Sequence, residues 1–133
     1  MGEERLPSVE QVLDPSHELI SSRRVEGTAV YDPSGEKLGT IRSLMVMKRS
    51  GQVAYALLSL GGMLGLAPSV YPIPWSILRY DVDRDAFVAD LTSEQLEAAP
   101  SMTLDAADRP RERSEDQMLY TYYGVLPPWG GVP

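Results

Sequence analysis

Cysteine is absent from the 133 residues, and histidine occurs once, as His17. The first absence excludes disulfides, thiol nucleophiles and the Cys-based zinc and iron–sulfur sites. The second leaves a Ser/His/Asp triad with one candidate base, in an N-terminal arm with no activated-nucleophile motif beside it. Long apolar runs are missing too. The longest apolar-looking stretch, residues 53–68, is interrupted by glycines and a serine and is too broken to span a bilayer. Met1-Gly2-Glu3-Glu4-Arg5 lacks the basic region and apolar run of a secretory leader. Leu6 stands where a myristoylation motif needs Ser or Thr. The expectation is a soluble cytoplasmic protein with no membrane span.

A positive excess is also lacking: the net charge is −7. Phosphate neutralisation supplies most nucleic-acid affinity, so general nucleic-acid binding is disfavoured. The charge is uneven, however. Residues 23–50 are net basic within an acidic chain. Arg24, Lys37, Arg42, Lys48 and Arg49 form a candidate basic patch for RNA on ribosomal particles or for an acidic partner. The plainer reading is a charged hairpin edge that resists strand pairing.

What is present is a succession of short apolar segments separated by turn signals. Residues 25–31 read as a strand. Asp32-Pro33-Ser34-Gly35 reads as a type I turn. Residues 37–48 read as a longer strand in which Leu44-Met45-Val46-Met47 is apolar on both faces. That pattern requires a bulge near Gly39 or a second covering segment. A third strand follows at 53–60. Its alanines, Ala54 and Ala56, would let a tight barrel close. In the fourth, at 70–75, Pro72 and Pro74 alternate and remove the hydrogen-bond donors of one edge, which belongs at a sheet edge or rim. Residues 76–82 and 86–91 form a hairpin. Thr92-Ser93-Glu94-Gln95 is a capping box for a short helix. Ser114-Glu115-Asp116-Gln117 is read as another, for a helix reaching Tyr123 with Gly124 at its C-terminus. In the arm, Ser8-Val9-Glu10-Gln11 fits a third box, ended by Asp14-Pro15.

These segments carry a resemblance. Residues 30–41, VYDPSGEKLGTI, resemble the first hairpin of the PRC-barrel family, as do residues 51–56 with the Gly61-Gly62 pair. Tyr71-Pro72-Ile73-Pro74-Trp75 resembles that family's most specific motif, and residues 123–129, YGVLPPW, resemble the ending of many stand-alone bacterial members. The resemblance implies a mainly β fold: a small, mostly antiparallel β-barrel with short flanking helices. It also implies a habit of holding partners, as in the reaction centre H subunit's cytoplasmic domain and the C-terminal domain of a ribosome maturation factor. The organisation expected is an arm over 1–21, a barrel over 22–102, and a linker, helix and aromatic tail over 103–133.

Chemistry finds few supports. Asp81, Asp83 and Asp85 mimic the start of an EF-hand loop, but Ala86 and Thr92 occupy the positions that need glycine and glutamate. Gly61-Gly62-Met63-Leu64-Gly65 is not followed by the Lys-Ser/Thr of a phosphate loop. No catalytic residue, metal ligand or cofactor site is therefore assigned. The expectation is a non-enzymatic protein-interaction or assembly module, forming a homodimer, with Tyr71, Trp75, Tyr122, Tyr123 and Trp129 as the contact aromatics. Two alternatives stand beside it: a ribosome or RNA-assembly factor using the basic hairpin, and a small-ligand binder with a pocket at residues 61–68.

Overall fold

A computed structural model describes residues 18–60, 69–103, 106, 109 and 112–130. The arm's capping box, His17 and the 61–68 loop lie outside the described residues. Seven strands form one sheet: β1 (Ala29–Tyr31), β2 (Lys37–Val46), β3 (Val53–Ser59), β4 (Ser69–Pro74), β5 (Leu78–Asp81), β6 (Ala86–Ala89) and β7 (Met102–Thr103). Their order is β5-β6-β1-β2-β3-β4-β7. Every neighbour is antiparallel except β1 beside β6. Three short helices accompany the sheet: α1 (Ser22–Val25), α2 (Ser93–Glu97) and α3 (Arg113–Tyr123).

The sheet rolls without closing. Neighbouring strands lie about 4.8 Å apart, so a flat sheet would hold β4 and β6 roughly 19 Å apart. Yet the rings of Trp75, just after β4, and Phe87, in β6, lie 5.3 Å centroid to centroid. Curvature brings one face of β1, β2, β3, β4 and β6 around a single core of Val30, Ile41, Leu58, Ile73, Phe87 and neighbours, lidded by Val25 and Leu96. The expected closed barrel is corrected to an open, rolled, mixed sheet. Pro72 and Pro74 withhold the donors a closing ladder would need. A single 3₁₀ turn over Trp75–Ile77 then replaces strand pairing between β4 and β5. Among the described residues, the only strand that β4 pairs with beyond β3 is the two-residue β7, at Ser69 and Val70.

The middle of the sheet is buried on both faces. Ala56 and Leu58 of β3 point into the first core, whereas Ala54, Tyr55 and Leu57 join a second core with Val70, Met102, Leu119 and Tyr120. Leu44 packs on the first core, and Met45 and Met47 on the second. Both alternatives that the doubly apolar stretch allows occur. Leu44, Met45 and Met47 are covered while Val46 is 52% exposed, and register slips occur opposite Val30/Tyr31 beside Gly39, at Ile41/Ser43 and at Met45/Val46. Gly39 allows the close approach: a Cβ there would lie 2.6 Å from the Ser59 carbonyl oxygen.

Local expectations are met at several points and shifted at others. In the Asp32–Gly35 turn, Gly35 N–H donates to the Asp32 carbonyl at 3.0 Å. Asp32, 8% exposed, accepts on Oδ1 from Ser34 N–H, Ser34 Oγ and Glu36 N–H at 2.9, 2.7 and 2.9 Å. Both halves of the Thr92/Gln95 capping box are formed. The strand expected over 25–31 is divided. Val25 ends α1, capped by Ser21, and Gly27 turns the chain at φ +90 before β1. Val25 stays in the core regardless. The cap of α3 sits two residues upstream of Ser114, at Glu112, whose N–H donates to Glu115 Oε1 at 3.1 Å. The Glu115 carboxylate reaches back a full turn, leaving Ser114 inside the helix.

Candidate interaction surface

Helix α3 has two sides with different fates. Its inner side is anchored on the second core. Leu119 and Tyr120 are fully buried, and Tyr120 Oη donates to the Ala54 carbonyl of β3 at 2.8 Å. The helix ends at Gly124, left-handed at φ +70, whose N–H meets the Tyr120 and Thr121 carbonyls. That turn sends the tail back along the helix, and Trp129 packs edge-on to Tyr120 at 5.3 Å. The Arg113 guanidinium lies over the indole, 4.6 Å from its ring centroid. Burial, with Asp116 and then Tyr55 adding negative charge nearby, raises the Tyr120 phenol well above its ordinary pKa. Burial, then Tyr122, does the same at Tyr123. Tyr123 Oη is buried and has no hydrogen-bond partner among the described residues.

The outer side is exposed. Met118 is 68% exposed, Tyr122 43% and Leu126 76%. Met118 and Tyr122, four residues apart, share one side of the helix, and Leu126 lies beyond Gly124, in the tail. Tyr122 is held in place by its own hydroxyl, which donates to the Gln95 carbonyl of α2 at 2.7 Å, and by edge-on contact with Tyr123 at 5.0 Å. Tyr122 is among the contact aromatics expected from the sequence. Met118 pairs with it at i,i+4, but the sequence does not decide which side of the helix faces out.

The five aromatics proposed for contacts do not form one surface. Tyr122, Tyr123 and Trp129 lie together at the tail, the last two half-buried against the second core. Tyr71 and Trp75 pack on the first core, across the sheet. The basic residues are also dispersed. Lys37 begins β2 and Lys48 and Arg49 follow its end, and ten extended residues span about 30 Å. Arg42 is exposed at the β2 bulge between them. Arg24, on α1, forms an ion pair with Asp85.

Asp85 also accepts from Tyr80 Oη, and Asp81 Oδ1 accepts from Asp83 N–H at 3.0 Å, with Arg84 Nε 3.7 Å from Asp81 Oδ2. The Asp81 carboxylate is therefore engaged within the hairpin's own turn, and that of Asp85 with Tyr80 and with Arg24 of α1. A groove of about 220 Å³ lies between β2 and β3, lined by Lys37, Leu38, Gly39, Thr40, Ser59 and Leu60. Among the described residues, no group of acids and histidines is arranged to hold a metal ion, and no helix is long and apolar enough to cross a membrane.

A rolled, mainly antiparallel sheet with both faces filled and a helical tail strapped across one of them defines a small β module. Residues 17–96 match the PRC-barrel domain family, and the chain belongs to that family. The match ends before β7, α3 and the tail. A search of curated proteins finds no match to the chain.

Proposed function

We propose that the protein is a non-enzymatic interaction module of the cytoplasm, a PRC-type fold that holds other proteins in an assembly. The exposed apolar residues Met118 and Tyr122 of α3, with Leu126 of the tail, carry this reading. Met118 and Tyr122 are set on a helix fixed to the sheet by Leu119 and Tyr120. Methionine and tyrosine are residues that interfaces favour. Self-association as a homodimer accompanies this role, since a small module gains buried surface most simply from a second copy. The outer edge of β5, unpaired among the described residues, supports that pairing.

Crosslinked affinity capture from native lysate tests the reading, with the full chain as bait. Sedimentation of the purified chain runs beside it. A specific partner supports the module. A chain that captures nothing and sediments as a monomer refutes both association and assembly.

A further inference from the structure

We propose that the free edge of β2 over residues 42–46 takes up an acidic, extended segment of a partner protein as an added strand. The inference rests on the interaction-module reading above but uses a different surface. β1 pairs with β2 at Lys37, Gly39 and Thr40. At Ile41 that side is closed by Gly27 N–H, which donates to the Ile41 carbonyl at 2.7 Å, and by the Thr28 carbonyl, which accepts from Ile41 N–H at 2.9 Å. β2 then continues beside β3 to Val46, and the hairpin closes where Met47 N–H donates to the Gln52 carbonyl at 2.8 Å. Among the described residues, nothing bonds to the backbone of 42–46 from the β1 side. A strand laid there antiparallel to β2 prolongs the line of β1 and gains a ladder of backbone hydrogen bonds.

Proteins protect an edge by placing charge, proline or a bulge on it. Here the bulge and the charge sit at one end, at Arg42. Ser43, Leu44, Met45 and Val46 are uncharged, and Val46 is 52% exposed. The charges flanking this stretch have one sign. Residues 38–60 hold Arg42, Lys48 and Arg49, each exposed, and no Asp or Glu. Of the acids on packed elements, Glu26 precedes Gly27 at the Ile41 end, and Asp116 of α3 accepts from Tyr55 Oη at 3.5 Å. An antiparallel occupant meets Lys48 and Arg49 with its first residues and the Glu26 end with its last. Acids at its start, followed by β-branched residues, therefore fit. A second copy pairing edge to edge would bring the cations of both chains into one seam. Nucleic acid would meet the cations but form no ladder.

Fluorescence anisotropy on the full chain tests this with three labelled synthetic peptides of equal length. One begins with Glu residues and continues with Val and Thr, one has Lys for Glu, and one is the Glu peptide N-methylated at alternate residues. The Glu peptide is expected to bind, weakening with salt, and the Lys peptide not to bind. N-methylation should cost at least about tenfold, because several ladder bonds are lost together. Lys48→Glu with Arg49→Glu, both at exposed positions, should weaken the Glu peptide and admit the Lys peptide, with an unchanged circular dichroism spectrum. Amide exchange followed by NMR should slow within 42–46 when the Glu peptide binds. Equal binding of the N-methylated or the Lys peptide, or slowing at β5 instead, overturns the proposal. So does full protection of 42–46 in the chain alone, since its own arm or a second copy then holds the edge. A partner captured from lysate equally by the wild-type and Lys48→Glu, Arg49→Glu chains overturns the edge site while leaving the module standing.

Discussion

Asp32 shows how much one side chain organises. Its carboxylate accepts three hydrogen bonds within the β1–β2 turn, and these hold its pKa below the ordinary value, the Ser34 hydroxyl first and the Glu36 N–H next. A depressed carboxyl pKa contributes stability above the unfolded-state value, and that contribution is lost as pH falls through the folded value. Asp32→Asn should therefore lower Tm at neutral pH and make Tm less steep across the acid limb, read by thermal melts over a pH series. An unchanged acid limb would mean that this turn does not couple to unfolding. Gly39 makes a steric case. Its absent Cβ would collide with backbone, the Ser59 carbonyl oxygen at 2.6 Å, and with the Leu58 side chain at 3.0 Å. Backbone cannot rotate aside, so Gly39→Ala should cost about 1–3 kcal/mol in urea unfolding, the usual cost of overpacking.

At the scale of the element, α3 offers two tyrosines with opposite expectations. Tyr120→Phe removes a buried donor from the Ala54 carbonyl and should cost about 1–3 kcal/mol, because that acceptor is left dry. Tyr123→Phe removes a hydroxyl with no partner among the described residues, so stability should hold or rise. Burial raises both phenol pKa values. Their contribution is whole below the ordinary tyrosine pKa and is lost as pH climbs above it, because the unfolded state ionises first. Both Phe variants should flatten the alkaline loss of stability, while differing at neutral pH. The elements also show what could be read in advance. Turn and cap signals are local, so Asp32–Gly35, Thr92/Gln95 and Gly124 were legible as written. The α1 turn was not: Val25 is buried at the end of a helical turn as it would be in a strand. Likewise, Ser114 is by residue type the better N-cap, yet the helix begins after Glu112, whose N–H is met by Glu115.

For the whole molecule, whether the tail serves its own sheet depends on long-range packing. The strand pattern and its PRC-barrel likeness carried the family. Closure was beyond its reach, because a ladder between β4 and β5 depends on how far the sheet rolls as well as on Pro72 and Pro74. The two-faced stretch of β2 did demand a cover, and the tail aromatics were suitable to provide it. That the two meet follows only from the fold, in which α3 lies over Ala54, Tyr55 and Leu57. The consequence is strong. Fully burying a large apolar side chain is worth about 1.5–3 kcal/mol, so Leu119 and Tyr120 alone supply roughly 3–6 kcal/mol. A small domain's entire stability is about 5–15 kcal/mol. A chain ended at Thr103 should therefore lose cooperative melting, bind a hydrophobic dye and sediment heterogeneously, while a Met118→Asp, Leu126→Ser chain melts as wild type does. Truncation and these substitutions separate two surfaces of the tail: the side packed on the second core is required to fold, and the exposed residues are not. A truncated chain that still melts cooperatively, at an unchanged temperature, would show that the second core contributes nothing and would free the whole tail for partners.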